Sequence, residues 1–111
     1  MKGRKNDMYI SGGENIYPQE VEAQLEEFID ISKAVVLSVK DDKWGQCGIA
    51  FVTTTNKILS VTHIREFLKT NLVAFKHPKY IFILDEIPLT SLGKVSRKQL
   101  YSHFNTIKSE Q

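Results

Sequence analysis

Two β-branched runs, SKAVVLSVK (32–40) and CGIAFVTTT (47–55), stand on either side of DDKWGQ (41–46). Runs of strand length, divided by a cluster of aspartate and glycine, pair as an antiparallel hairpin. A chain of 111 residues has room for a single core. Every other segment must therefore pack on that hairpin, and residues 1–111 read as one domain.

The flanking segments supply what covers it. Pro18 suits a first helical turn, Glu20 and Glu22 place acids early, and Val21, Leu25 and Phe28 recur at helical spacing, so the pattern predicts a helix over 18–28. In SVTHIREFLKTNL (60–72), Ser60 is a candidate N-cap, and Ile64, Phe67, Leu68 and Leu72 form one stripe that AFKHPKY ends. A third helix is expected from Ser96 to about Ile107, with Leu100, Phe104 and Ile107 on one face and KSEQ fraying. DMYIS (7–11) reads as a short strand, GGEN (12–15) as a turn, and YIFILDEIP (80–88) as a further strand. This order predicts a small α+β domain, its helices packed on a mostly antiparallel sheet.

Charge excludes some function classes. With 15 Lys and Arg against 13 Asp and Glu, interspersed along most of the chain, there is no strong nucleic-acid or membrane footprint; Lys94, Arg97 and Lys98 are the exception. One cysteine, Cys47, cannot form an internal disulfide, and no apolar run is long enough for a membrane span or a signal-peptide core. A reducing, cytoplasmic setting is expected, with Cys47 a buried and inert thiol. The opening MKGRKND enters charged turn chemistry at once, as an internal segment of a longer chain would.

Four stretches carry polar chemistry. In PLTSLGKVSRKQL (88–100), Gly93 permits a tight turn, Thr90 and Ser91 offer hydroxyls, and Lys94 is a cation on a flexible stem, suited to a carboxylate or phosphate. A phosphate-cradling loop of the Walker type fails, because Pro88 stands where its first glycine belongs and Val95 where its hydroxyl residue belongs. A solvated loop lysine is the alternative. ISGGENIYP (10–18) pairs Gly12 with Gly13 beside Glu14 and Asn15, as a ligand loop or a plain hairpin turn would. Arg4 and Lys5 could hold a phosphate or ribose, or simply be solvated. Trp44 either packs on a neighbour or stacks on a ligand. His63, His77 and His103 lack metal-ligand spacing and read as surface or capping residues.

Taken together and in order, GRKNDMYISGGENIYPQEVE, DDKWGQ and FKHPKYIFILDEIPLTSLGKVSR resemble the carboxy-terminal domain of the adenylate-forming enzymes: acyl-CoA synthetases, peptide-synthetase adenylation domains and luciferases. The resemblance covers nearly the whole chain. It implies a cap domain that rotates on a large amino-terminal domain, its partner, between two half-reactions. A carboxylic acid attacks the α-phosphate of ATP to give an acyl adenylate and pyrophosphate; the thiol of coenzyme A then displaces AMP. Magnesium assists the first step in the full-length enzyme and is not expected on this domain.

Residue by residue, the resemblance makes Lys94 the adenylation lysine and Arg4 a contact near the nucleotide ribose. Gly13 lines the thiol tunnel, with Gly12 serving the same turn. Charge and placement alone, rather than the resemblance, put Lys76 and Lys79, flanking Pro78, near the expected entry of coenzyme A, where they are expected to meet its phosphates. The hinge falls at Asn6, where the family usually has Asp or Lys, with Asp7 sharing the role. Ile10 stands where many relatives carry a lysine, which removes one second-step contact. SGGENIYP followed by DDKWGQ is most similar to acyl-CoA ligases, and among them to those acting on o-succinylbenzoate in bacterial menaquinone synthesis. Two rival readings stay open on the residues alone. One is a non-catalytic module that holds a nucleotide or nucleic acid through Arg4, Lys94, Arg97 and Lys98; the other is a self-association domain that keeps these motifs only as turns.

Overall fold

A computed structural model describes residues 8–56 and 58–110, with side chains as far as residue 106. Its centre is the expected hairpin: β3 (Ile31–Asp41) pairs antiparallel with β4 (Gly45–Thr54) from Ile31↔Thr54 to Asp41↔Gly45. A third strand, β5 (Tyr80–Leu84), joins β4 in parallel, so the sheet order is β3-β4-β5 and the sheet is mixed. The parallel pairing follows from the connection, because α2 (Val61–Asn71) crosses over between β4 and β5. A separate small hairpin pairs β1 (Tyr9–Ser11) with β2 (Glu14–Ile16). Glu14 and Asn15 thus belong to a strand, and the turn shrinks to Gly12 and Gly13.

Helices cover both faces of the sheet. Ala34, Val36, Ala50 and Val52 face a core shared with Val21 and Leu25 of α1 (Pro18–Glu26) and Ile64 and Leu68 of α2. The alternate residues Val35, Leu37, Ile49 and Phe51 face Leu100 and Phe104 of α3 (Arg97–Glu110). Double coverage explains why AVVL and GIAFV are unbroken apolar runs: each residue meets one layer or the other. α1 stops two residues before the expected Phe28, whose ring leaves the helix to stack on Phe67 with centroids 4.9 Å apart. α3 continues to Glu110, beyond the expected end near Ile107, since no glycine or proline interrupts it.

Local signals fix the helix starts. The Ser60 hydroxyl accepts from the His63 amide while His63 Nδ1 accepts from the Ser60 amide, a reciprocal cap on α2. Ser96 caps α3 through Gln99 N–H at 3.3 Å.

At the outer edge of the sheet, two carboxylates do what a fourth strand would. Glu22 accepts from the Val36 amide at 2.8 Å and Glu26 from the Ala34 amide at 2.9 Å. The two glutamates lie four apart and so share a helix face, while the two amides lie two apart and so share a strand edge. Without them, part-buried β3 amides would lack partners. Removing either carboxylate by Glu22→Ala or Glu26→Ala is expected to lower stability by about 1–3 kcal/mol in urea unfolding, the scale for losing a charged hydrogen-bond partner.

Candidate functional site

The β1–β2 turn, the β3–β4 turn and the segment before β5 meet around a cleft of about 310 Å³. Its walls include Gly12, Trp44, Gly48, Phe75, His77 and Lys79, with Tyr9 behind them. Each wall is held by specific bonds. Gly12 and Gly13 have φ of 59° and 86°, which a two-residue hairpin turn of this hand requires at both positions. The Gly12 amide donates to the Trp44 carbonyl at 2.9 Å, and the Ile10 amide to Gln46 Oε1 at 3.1 Å, so one turn is docked on the other. A Cβ on Gly12 would lie 2.8 Å from the Trp44 ring. Glycine is therefore required here twice, by its dihedral angle and by the indole beside it.

The third wall hangs from α2. Arg65 donates to the carbonyls of Pro78 and Lys79 at 2.6 and 2.7 Å, and its burial pulls the guanidinium below its ordinary range. His77 Nε2 sits 3.0 Å from the Leu68 carbonyl and 2.7 Å from that of Leu72, closing the end of α2. The Lys79 amide donates to the Gly48 carbonyl at 2.8 Å, tying this wall to β4.

Asp41 organises the mouth. Its carboxylate accepts from Lys79 Nζ at 2.6 Å and from the Trp44 and Lys43 amides at 2.9 and 3.1 Å. The hydrogen bond from Lys79, then that from the Trp44 amide, holds the Asp41 carboxyl below the usual carboxylate range; the same bond to Asp41 raises Lys79. Trp44 is half exposed and lines the cleft, with Lys43 Nζ 4.9 Å from its ring centre. Together these groups make an apolar slot with a cation at its rim, suited to an extended chain that ends in an anion.

Lys94 lies elsewhere. Leu89 bridges Val95, and the turn between them is tightened by Thr90: its amide donates to the Lys94 carbonyl at 2.6 Å and its carbonyl accepts from the Gly93 amide at 2.9 Å. The Thr90 hydroxyl accepts from the Leu92 and Lys94 amides, each at 3.3 Å, and Gly93 takes φ 82°. Lys94, Leu92 and Ser91 are exposed at the tip. Ile87, Val95 and Leu100 anchor this turn on the α3 side of the sheet, whereas Tyr9 and Ile16 place the cleft's hairpin on the α1–α2 side.

The structure thus gathers Gly12 and Lys79 into one cleft and puts Lys94 on the opposite face. Gly13 occupies the turn but not the cleft wall, and a Cβ there would meet nothing within 4 Å of this chain. Lys76 also stays out of the wall, paired with Glu20 at 2.8 Å. Arg4, Lys5, Asn6 and Asp7 lie outside the described residues. Sequence reasoning missed Tyr9, Gly48, Phe75 and His77 as parts of the cleft, and Asp41 as the partner of Lys79 at its mouth. A legible signal existed only for AFKHPKY, where Pro78 forces extended chain after a helix and leaves its side chains to line something.

Comparison with known proteins decides the family. The profile of the AMP-binding enzyme C-terminal domain matches residues 20–94. This chain belongs to that family. It is 37% identical over 97 residues to the 2-succinylbenzoate–CoA ligase of Listeria monocytogenes, covering 87% of this chain and 21% of that protein. It is 42% identical over 96 residues to the indoleacetate–CoA ligase of Aromatoleum aromaticum, covering 86% and 19%. In structure it matches the fatty acyl CoA synthetase of Mycobacterium tuberculosis with a TM-score of 0.83 and 33% identity, over 96% of this chain and 21% of that one. The chain therefore spans about a fifth of the length of the relatives it matches.

Tyr9 is 2% exposed, and its hydroxyl has no hydrogen-bond partner among the described residues; burial first, and nearby Cys47 second, raise its pKa to about 12. The hydroxyl fills the space where a side chain at Gly48 would start. Gly48→Ala should cost about 1–3 kcal/mol through this overpacking, read by thermal melting, and Tyr9→Phe should restore most of the loss.

Proposed function

We propose that this chain is the cap domain of an AMP-forming acyl-CoA ligase and serves each half-reaction with a different face of its sheet. The observation that carries this reading is the placement of Lys94 and the cleft on opposite faces. A group needed for adenylation and a slot needed for the thiol cannot both face one active centre at once, so the domain must turn between steps.

In the first step the Lys94 turn enters the active centre of a large partner domain. A carboxylate oxygen attacks the α-phosphorus of ATP, the bond to pyrophosphate breaks, and negative charge accumulates on the reacting oxygens. Lys94 stabilises that charge as a fixed cation and transfers no proton. Thr90 and the Gly93 turn hold the lysine's backbone, so its stem is the only part left to order. Arg4 meets the nucleotide ribose, and Asn6 with Asp7 forms the hinge.

In the second step the cleft face turns inward. The pantetheine arm of coenzyme A runs past Gly12 and Trp44, Gly13 leaves open the space that the arm shares with the large domain, and Lys79 faces the phosphates. Lys76 is paired with Glu20 and would meet a phosphate only by leaving that pair. The thiol sulfur attacks the acyl carbonyl and AMP leaves. The described residues contain no group of three or more His, Cys, Asp or Glu able to hold a metal ion. The acid put first is o-succinylbenzoate, as in the Listeria relative, within a class of aromatic acids that also includes indoleacetate.

The test separates the two half-reactions in the ligase that carries this domain. Lys94→Ala should lower acid-dependent ATP–pyrophosphate exchange at least about a hundredfold and still convert supplied acyl adenylate to thioester. Gly13→Leu should do the reverse. If both variants keep both half-reactions, the assignment of the faces is wrong.

A further inference from the structure

Two lysines stand near the cleft, each paired with a carboxylate, and the pairs are built oppositely. In the Lys76–Glu20 pair the lysine is the covered partner, its side chain 22% exposed against 45% for the carboxylate. This lysine is sunk and tethers the turn at Ala74–Lys76. In the Lys79–Asp41 pair the carboxylate is covered at 8% and the lysine is 46% exposed. Here the acid is locked and the cation is free to leave.

Asp41 is locked because the Trp44 and Lys43 amides hold the same carboxylate oxygen at 2.9 and 3.1 Å, whereas Lys79 takes the other oxygen at 2.6 Å. The backbone of Lys79 is fixed independently by Arg65 and by the Gly48 carbonyl. Only its four-carbon stem has to swing for the ammonium to exchange one anion for another. An arriving phosphate meets a lysine already neutralised at 2.6 Å, and a carboxylate that repels it.

We infer that Asp41 is a positioning residue that sets how tightly the cleft holds a phosphate-bearing ligand: it fixes Trp44 through the turn and keeps Lys79 neutralised until the ligand's phosphate displaces it. The inference rests on the reading that the cleft receives coenzyme A. Asp41 thereby separates two properties of the site. The turn determines where the indole stands against the chain of the ligand, and the charge determines how strongly the anionic end is retained. A ligand that must be released each cycle is served by a cation that is already partnered when empty.

The experiment measures the half-saturating concentration of two thiols, coenzyme A and phosphate-free pantetheine, in thioester formation from supplied acyl adenylate by the ligase carrying this domain. Asp41→Asn keeps an oxygen for the turn amides and removes the charge. It should lower the value for coenzyme A about threefold at low salt, the scale of removing one unit charge some ångströms away in water, leave pantetheine unchanged, and lose its effect at high salt. Asp41→Ala also loses the turn and should raise the value for both thiols; if it fails to fold, Asp41→Asn carries the test alone. Asp41→Asn with unchanged or weakened use of coenzyme A overturns the inference. A wild-type enzyme whose thioester formation does not saturate with coenzyme A, in contrast, defeats the reading of the cleft itself.

Discussion

The structure depends on β4 being buried from both sides. Ile49, Ala50, Phe51 and Val52 have no exposed surface, with alternate residues meeting α1 and α2 or meeting α3. A central strand covered in this way gives the small domain two apolar layers around one sheet, and so a rigid body with two usable outer surfaces. The price is an edge: among the described residues β3 has no outer neighbour strand, and Glu22 and Glu26 of α1 complete its amides instead.

The cleft inherits its geometry from the same sheet. β4 begins at Gly45, directly behind the Trp44 turn, and β5 begins one residue after Lys79, so sheet pairing brings the two walls together. Arg65 and His77, both bound to backbone carbonyls, then attach α2 to the third wall. The lysine turn is built differently. Its order comes from the five residues Thr90–Lys94 themselves, braced by the Leu89–Val95 bridge. One candidate site is thus assembled from distant segments and the other from a single local motif.

That contrast explains what the sequence made legible. The hairpin, the three helices and the Ser60 cap are local patterns, and they stand where periodicity and capping residues put them except at the ends of α1 and α3. Lys94 and Gly12 were visible because their motifs are continuous. The continuous apolar runs read only as strands, since the pattern does not say which layer covers each residue, and the parallel placement of β5 depends on the path of α2. Asp41 read only as a turn former, since its bond to Lys79 spans 38 residues. Tyr9 was invisible as a cleft residue, because what singles it out is the missing side chain at Gly48.

The central claim is that two faces act in turn, and hydrogen exchange on the ligase carrying this domain tests it most directly. With a non-reactive acyl-adenylate analogue bound, the account predicts added protection of amides in the Thr90–Lys94 turn and none around the cleft. With coenzyme A and the adenylate product bound, protection should move to the Gly12–Gly13 turn and to the Asp41–Trp44 turn. Protection of the same turns in both states would contradict it.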